Sequence, residues 1–252
     1  MTYDAERNIL TNTAQKPALE GVINIDGYAY EDSADALRAF FGANLTINVL
    51  KGYYIRFADD AVRRICAEMW GDGTGITREM AAQVKTINSE FSGRTDLVSF
   101  DEFRYFTAFT GNGACLKHSG LNSVIYPANE LILNLALKKT GEIDYIKIMP
   151  GKTVSRVHLG DSDKNIHVKL IYIPECMSFH DYFYRGAKVD RLYLQCDTPP
   201  SMPMGYGSNI NNVVEFYVPL GCSDAYQANV ARTNGYIEYD FDTDPDGVIP
   251  RM

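Results

Sequence analysis

Cysteine is scarce and unpatterned in this sequence. There are five, Cys66, Cys115, Cys176, Cys196 and Cys222, an odd count with no Cys-x-x-Cys spacing. That argues against a disulfide framework and against a zinc site, and leaves buried free thiols as the expectation. Tryptophan occurs once. Basic residues are outnumbered, 24 Lys and Arg against 32 Asp and Glu, for a formal charge of −8. The basic residues are scattered, so no stripe exists to meet phosphates and nucleic acid is not an expected partner. No apolar run approaches the length of a membrane span, so no membrane insertion is expected. The first residues, Met1-Thr2-Tyr3-Asp4-Ala5-Glu6-Arg7-Asn8, are polar and charged. They do not resemble a secretion leader, and export by the general secretory route is not expected.

Motifs of catalysis are missing as well. His118, His158, His167 and His180 do not stand three or four residues from one another. None accompanies a Gly-x-Ser-x-Gly elbow or a His-Glu-x-x-His helix. The glycine-rich segment from Gly71 to Gly75 lacks the lysine of a phosphate loop and follows a predicted helix instead of a strand. With no convergent acid, base and nucleophile, the chain is expected not to be an enzyme, with no catalytic residue, no metal and no cofactor.

What is present is a core and a rhythm. The 252 residues are 46% hydrophobic, with 17 Tyr and 12 Phe. That is enough to bury a real interior. In the second half a phrase returns: two apolar residues one apart, then usually proline. It reads Val124-Ile125-Tyr126-Pro127, Ile146-Lys147-Ile148-Met149-Pro150 and Ile171-Tyr172-Ile173-Pro174. It weakens to Leu192-Tyr193-Leu194 and closes with Phe216-Tyr217-Val218-Pro219. The first three prolines stand 23 and 24 residues apart. One short strand per unit at a period of 20–29 residues is the mark of a leucine-rich solenoid. Each proline suits a strand end, where no ladder donor is needed.

The predicted fold class is α+β. Residues 1–54 form a small N-terminal α+β attachment or oligomerisation unit. It holds a strand at Gly21-Val22-Ile23-Asn24-Ile25, a helix over 34–41 capped by Ser33, and a β-hairpin over 45–57 turning near Lys51-Gly52. Residues 55–95 form a helical leader. Its first helix uses Val62, Ile65, Cys66 and Met69 as one face, and its second carries Met80, Ala81, Val84 and Ile87. Residues 96–240 are the β-rich repeats with a C-terminal cap, and 241–252 an acidic tail.

Two acidic stretches invite comparison with calcium loops, which need six to eight oxygens and a closing bidentate carboxylate. Gly71-Asp72-Gly73-Thr74-Gly75-Ile76-Thr77-Arg78-Glu79 carries only Asp72 and Glu79, too few, and reads as a helix–helix turn. Asp240-x-Asp242-x-Asp244-x-Asp246-Gly247 has the spacing but no closing glutamate before Met252. It reads first as a solvated, mobile tail.

Tyr172, Tyr193 and Tyr217 take the middle slot of three successive phrases, with Lys147 in that slot one unit earlier. Alternation along a strand sends the flanking apolar residues inward and the tyrosines outward. A stacked ladder of rings is then the candidate binding surface for a sugar or a protein. Cross-strand packing that shields the sheet is the competing explanation.

Several motifs carry a family resemblance. Phe100-Asp101-Glu102-Phe103-Arg104-Tyr105-Phe106-Thr107 resembles the opening motif of BspA-like leucine-rich repeat proteins of gut Bacteroidales and their phages. Phe183-Tyr184-Arg185-Gly186, followed by Leu192-Tyr193-Leu194, is similar to one repeat of that family, with Ala187 where Cys is usual. The segment from Thr198-Pro199-Pro200 through Tyr217-Val218-Pro219-Leu220-Gly221-Cys222-Ser223-Asp224-Ala225-Tyr226 resembles its C-terminal cap. The stretch from Phe57-Ala58-Asp59-Asp60 through Cys66, Trp70 and Ala81-Ala82 resembles its helical leader. The likeness covers about residues 55–240. It implies a leucine-rich-repeat solenoid and a non-enzymatic binding role. Joined to the polar N-terminus, it points to a virion protein, a head or tail fibre or a decoration subunit. Expected partners are other virion proteins or a cell-surface protein or glycan, with a homo-oligomer expected. A bacterial cell-surface adhesin is the first rival. A carbohydrate-active enzyme on a β-solenoid is the second, and it would need paired carboxylates in a groove.

Overall fold

The computed structural model describes residues 2–4, 9–11, 21–30, 32–33, 36–37, 45–128, 132–134, 137, 140–158, 165–179, 187–202 and 210–252. The chain divides into two compact units, Met1–Arg56 and Phe57–Met252.

In the first unit β1 (Thr2–Asp4) and β2 (Ile9–Thr11) form an antiparallel pair. β3 (Gly21–Ile25) and β4 (Tyr28–Tyr30) are followed by β5 (Leu45–Val49) and β6 (Gly52–Tyr54). The expected hairpin over 45–57 does not form. β5 pairs in parallel with β3, placing Ile23 beside Ile47, and β6 pairs in parallel with β4, placing Ala29 beside Tyr53. Both pairs have a 24-residue offset. Alternation fixes which side chains face the core but not which strand becomes the neighbour. Here the strand one period earlier supplies matching residues. Ile47 is buried against Ile23, Ile25, Leu37 and Tyr53, and Asn48 Nδ2 donates to Asn24 Oδ1 at 3.1 Å. Leu50 N–H donates to Ile25 O at 2.9 Å, so the chain runs on through Lys51-Gly52 without reversing. Asp32, Ser33, Ala36 and Leu37 are helical, and the rest of the helix expected over 34–41 lies outside the described residues.

The second unit is built on β7 (Ser99–Phe100), β8 (Ser123–Tyr126), β9 (Ile132–Asn134), β10 (Thr140–Ile148), β11 (Arg156–His158), β12 (Asn165–Ile173), β13 (Ala187–Leu194), β14 (Val213–Pro219) and β15 (Ile237–Tyr239). β7, β8, β10, β12, β13, β14 and β15 form one seven-stranded sheet, all parallel and in chain order. Neighbouring residues in it are 20 to 25 positions apart, as in Tyr217 with Ile237 and Tyr145 with Leu170. Parallel strands demand a crossover after each. On the return side a second row of parallel contacts joins β9 to β11 and links Val154 with Cys176, Val157 with Phe179 and Ser178 with Ser201. The repeated phrases therefore lie side by side in sequence order, as their spacing predicts.

Register explains the core. Phe100, Val124, Ile146, Ile171, Leu192 and Phe216 are cross-strand neighbours in a single fully buried column. Tyr126, Ile148, Ile173, Leu194 and Val218 make a second fully buried row two residues on. A further buried column, Ile143, Val168, Val189 and Val213, lies upstream of the phrase in β10, β12, β13 and β14.

Helices pack near both ends of the sheet. α1 (Asp60–Trp70) buries Val62, Cys66 and Ala67, whereas the expected core residue Met69 is half exposed. Asp59 does two jobs: Oδ1 accepts from the Ala61 and Val62 N–H groups at 2.8 and 3.2 Å, and Oδ2 from Val98 N–H at 2.6 Å. One carboxylate thus caps the helix and satisfies donors where β7 begins. α2 (Arg78–Ala81) is a single turn capped by Thr77, shorter than expected. Beyond it Lys85 O accepts from Thr110 N–H at 3.0 Å, a tertiary bond that replaces the next helical turn. Val84 and Ile87 are nevertheless buried. At the far edge α3 (Ser223–Asn229) inserts Tyr226, whose hydroxyl donates to Cys196 O at 2.8 Å. Arg232 is buried beyond it, donating to Gly235 O at 2.8 Å and Val214 O at 3.2 Å and lying over the Phe216 ring at 5.4 Å. No helix among the described residues is long and apolar enough to cross a membrane.

Candidate functional site

The outward slots of the sheet line up as expected. Ile125, Lys147, Tyr172, Tyr193, Tyr217 and Ile237 are successive cross-strand neighbours. Tyr193 and Tyr217 stack with ring centres 4.3 Å apart and planes 3° from parallel. The sequence was right about the ladder and wrong about what lies over it. Tyr172 and Tyr193 are fully buried, and only Tyr217 keeps partial exposure.

The cover is the chain's own acidic tail, expected to be solvated and mobile. Phe241 and Val248 are buried in one cluster with Leu170, Tyr172, Tyr193 and Tyr239, and Ile249 packs against it. The aspartates are spent on folding this segment. Asp240 Oδ1 accepts from the Asp242 and Thr243 N–H groups at 3.0 and 3.2 Å. Asp244, in the left-handed region at φ 44°, is buried; Oδ1 accepts from Val248 N–H at 2.8 Å and from the Tyr239 hydroxyl at 2.9 Å, and Oδ2 from Ile249 N–H at 3.2 Å. Asp246 Oδ2 accepts from the Tyr193 hydroxyl at 2.8 Å. The calcium-like spacing therefore yields turn acceptors, and among the described residues no three His, Cys, Asp or Glu side chains are grouped to hold a metal ion. Burial pushes the Tyr172 and Tyr193 phenols well up, and lifts Tyr239 to about 12. Lys147 is shifted down by burial, against the pull of Asp244 and Asp101.

The other acidic loop is a turn as well. Asp72 Oδ1 accepts from the Thr74 and Gly75 N–H groups at 3.0 Å each. A Cβ on Gly71 would stand 1.9 Å from Gly75 O, which is why glycine occupies that position.

An open, polar cleft of about 430 Å³ lies at the downstream ends of β10, β12 and β13. Lys152, Thr153, Glu175, Gln195 and Asp197 line it, together with Pro150 and Pro174. Thr153 Oγ1 donates to Glu175 Oε2 at 2.8 Å across one unit, and the Tyr172 hydroxyl donates to Gln195 Oε1 at 2.5 Å across the next. These residues were not singled out from sequence. Their shared position just after each strand phrase is the signal that could have found them.

Of the histidines, His167 Nε2 lies 2.7 Å from Asp190 Oδ2, in an exposed network where Lys169 bridges Glu142 and Asp144 at 2.5 and 2.8 Å. His118 and His158 stand elsewhere in the chain, and His180 lies outside the described residues. Glu102 is buried under Ala58, whose N–H donates to Oε1 at 3.1 Å, and burial raises its carboxyl above the usual range. Neither the known protein families nor the curated proteins nor the solved structures contain a match to this chain.

Proposed function

We propose that residues 96–240 are a leucine-rich-repeat solenoid in a protein with a structural and adhesive role in a virion, as a head or tail fibre or a decoration subunit. The observation that carries this reading is the stacking of strands in chain order at steps of 20 to 25 residues. That period matches leucine-rich repeats and agrees with the family resemblance of the opening and capping motifs. Stacked units make long rigid surfaces suited to binding and assembly.

On this reading the tyrosine ladder is interior support, and the docking surface is the cleft beside Lys152, Glu175 and Asp197. The partner is another virion protein or a cell-surface protein or glycan, and the chain works as a homo-oligomer. Mass spectrometry of purified particles tests this. Peptides of the chain are expected at a stoichiometry comparable to other structural components. Their absence from particles, with recovery from the bacterial surface fraction, overturns the reading in favour of a cell-surface adhesin.

A further inference from the structure

β12 and β13 end as paired neighbours, Ile173 beside Leu194. Just past those ends the chain places Cys176 and Cys196, both buried, 20 residues apart in sequence and against each other in space. Cys176 N–H donates to Cys196 Sγ at 3.1 Å, and Cys196 Sγ lies 3.8 Å from Cys176 O. A hydrogen bond between the two thiols, with burial second, drives the Cys176 thiol far up. Cys196 Sγ thus lies against both the N–H and the carbonyl of Cys176, the close approach that a disulfide requires. The nearby Cys222 is directed elsewhere, its Sγ donating to Asp197 O at 3.4 Å.

We propose that Cys176 and Cys196 are an oxidisable pair that closes into a disulfide joining successive units. The co-reactant is a small disulfide such as oxidised glutathione. One protein thiolate attacks it and releases one glutathione thiolate. The second protein thiolate then displaces the other, so the protein loses two electrons and two protons and two reduced glutathiones form. Burial and the high thiol pKa make exchange slow in the closed fold, and it proceeds through local opening of this turn. The bond ties together the backbone that carries Glu175, Gln195 and Asp197, and so stiffens the cleft they line. This inference stands on thiol geometry alone and does not depend on the virion reading.

The full chain is incubated with oxidised glutathione in urea below the unfolding transition, then alkylated under denaturing conditions and digested. Three alkylated cysteines are expected, with a peptide linking Cys176 to Cys196 that dithiothreitol releases, and a raised urea midpoint for the oxidised chain. Cys222→Ser is expected to leave that link intact. Five alkylated cysteines, a Cys196–Cys222 link, or loss of the link in Cys222→Ser would each overturn the proposal.

Discussion

The two faces of the seven-stranded sheet solve the same problem with different chemistry. The inner face buries a column without a titratable group, Phe100, Val124, Ile146, Ile171, Leu192 and Phe216. That column needs only volume and shape, and Tyr126 in the next row is the one phenol among these inward positions. The outer face buries phenols, and each must place its hydroxyl. Tyr193 donates a hydrogen bond to Asp246, Tyr239 to Asp244 and Tyr172 to Gln195. An acidic tail is thus a suitable cover for a tyrosine face. It brings acceptors where the rings bring donors, and it brings Phe241, Val248 and Ile249 where they bring apolar surface.

The inner face should therefore be the costlier one to cut. Leu192→Ala removes a fully buried side chain between Ile171 and Phe216 and is expected to destabilise by about 3 kcal/mol, read from urea denaturation. A loss under 1 kcal/mol would mean the column is not a close-packed interior.

On the outer face the cost should follow the burial of the acceptor. Tyr239→Phe leaves Asp244 buried with one donor fewer, at an expected cost of about 2 kcal/mol. Tyr193→Phe strips a donor from Asp246, which is exposed and can turn to water, at about 1 kcal/mol. Equal costs for the two variants would break the claim that the tail is a packed layer.

The same contrast explains what could be read from sequence. The inner columns were legible because a phrase such as Ile171-Tyr172-Ile173 states both its period and its inward positions. The tail was not, because four aspartates at alternate positions look like a solvated run until their partners are known. The hint was Phe241, Val248 and Ile249, three large apolar residues that a solvated tail has no use for. The hairpin over 45–57 failed for a related reason. Thr46-Ile47-Asn48-Val49 alternates well, but its neighbour is Val22-Ile23-Asn24-Ile25, 24 residues back, where the same Ile-Asn pair already stood. Period outranked proximity, and within those residues no local pattern reports that. The cleft beside Glu175 and Asp197 was invisible for want of any motif, since it is assembled from three separate turns.

Alkaline titration separates the faces by sign and slope. Tyr145 and Tyr239 both border the outer cluster, and burial raises each phenol to about 12 from its usual value near 10. The fold then favours the protonated phenol, while the unfolded chain releases that proton earlier. The stabilisation is fully present below pH of about 10 and is lost as pH climbs through about 12. Urea midpoints measured between pH 9 and 11.5 should fall, while the 295 nm absorbance of the folded chain shows a fraction of its tyrosines ionising late. Tyr239→Phe should flatten that fall. Leu192→Ala should lower every midpoint while leaving the slope unchanged, because its column holds nothing that titrates. A Leu192→Ala slope as altered as that of Tyr239→Phe would show that the faces are one coupled layer. Parallel slopes for Leu192→Ala and wild type would show that the column from Phe100 to Phe216 takes no part in the alkaline sensitivity.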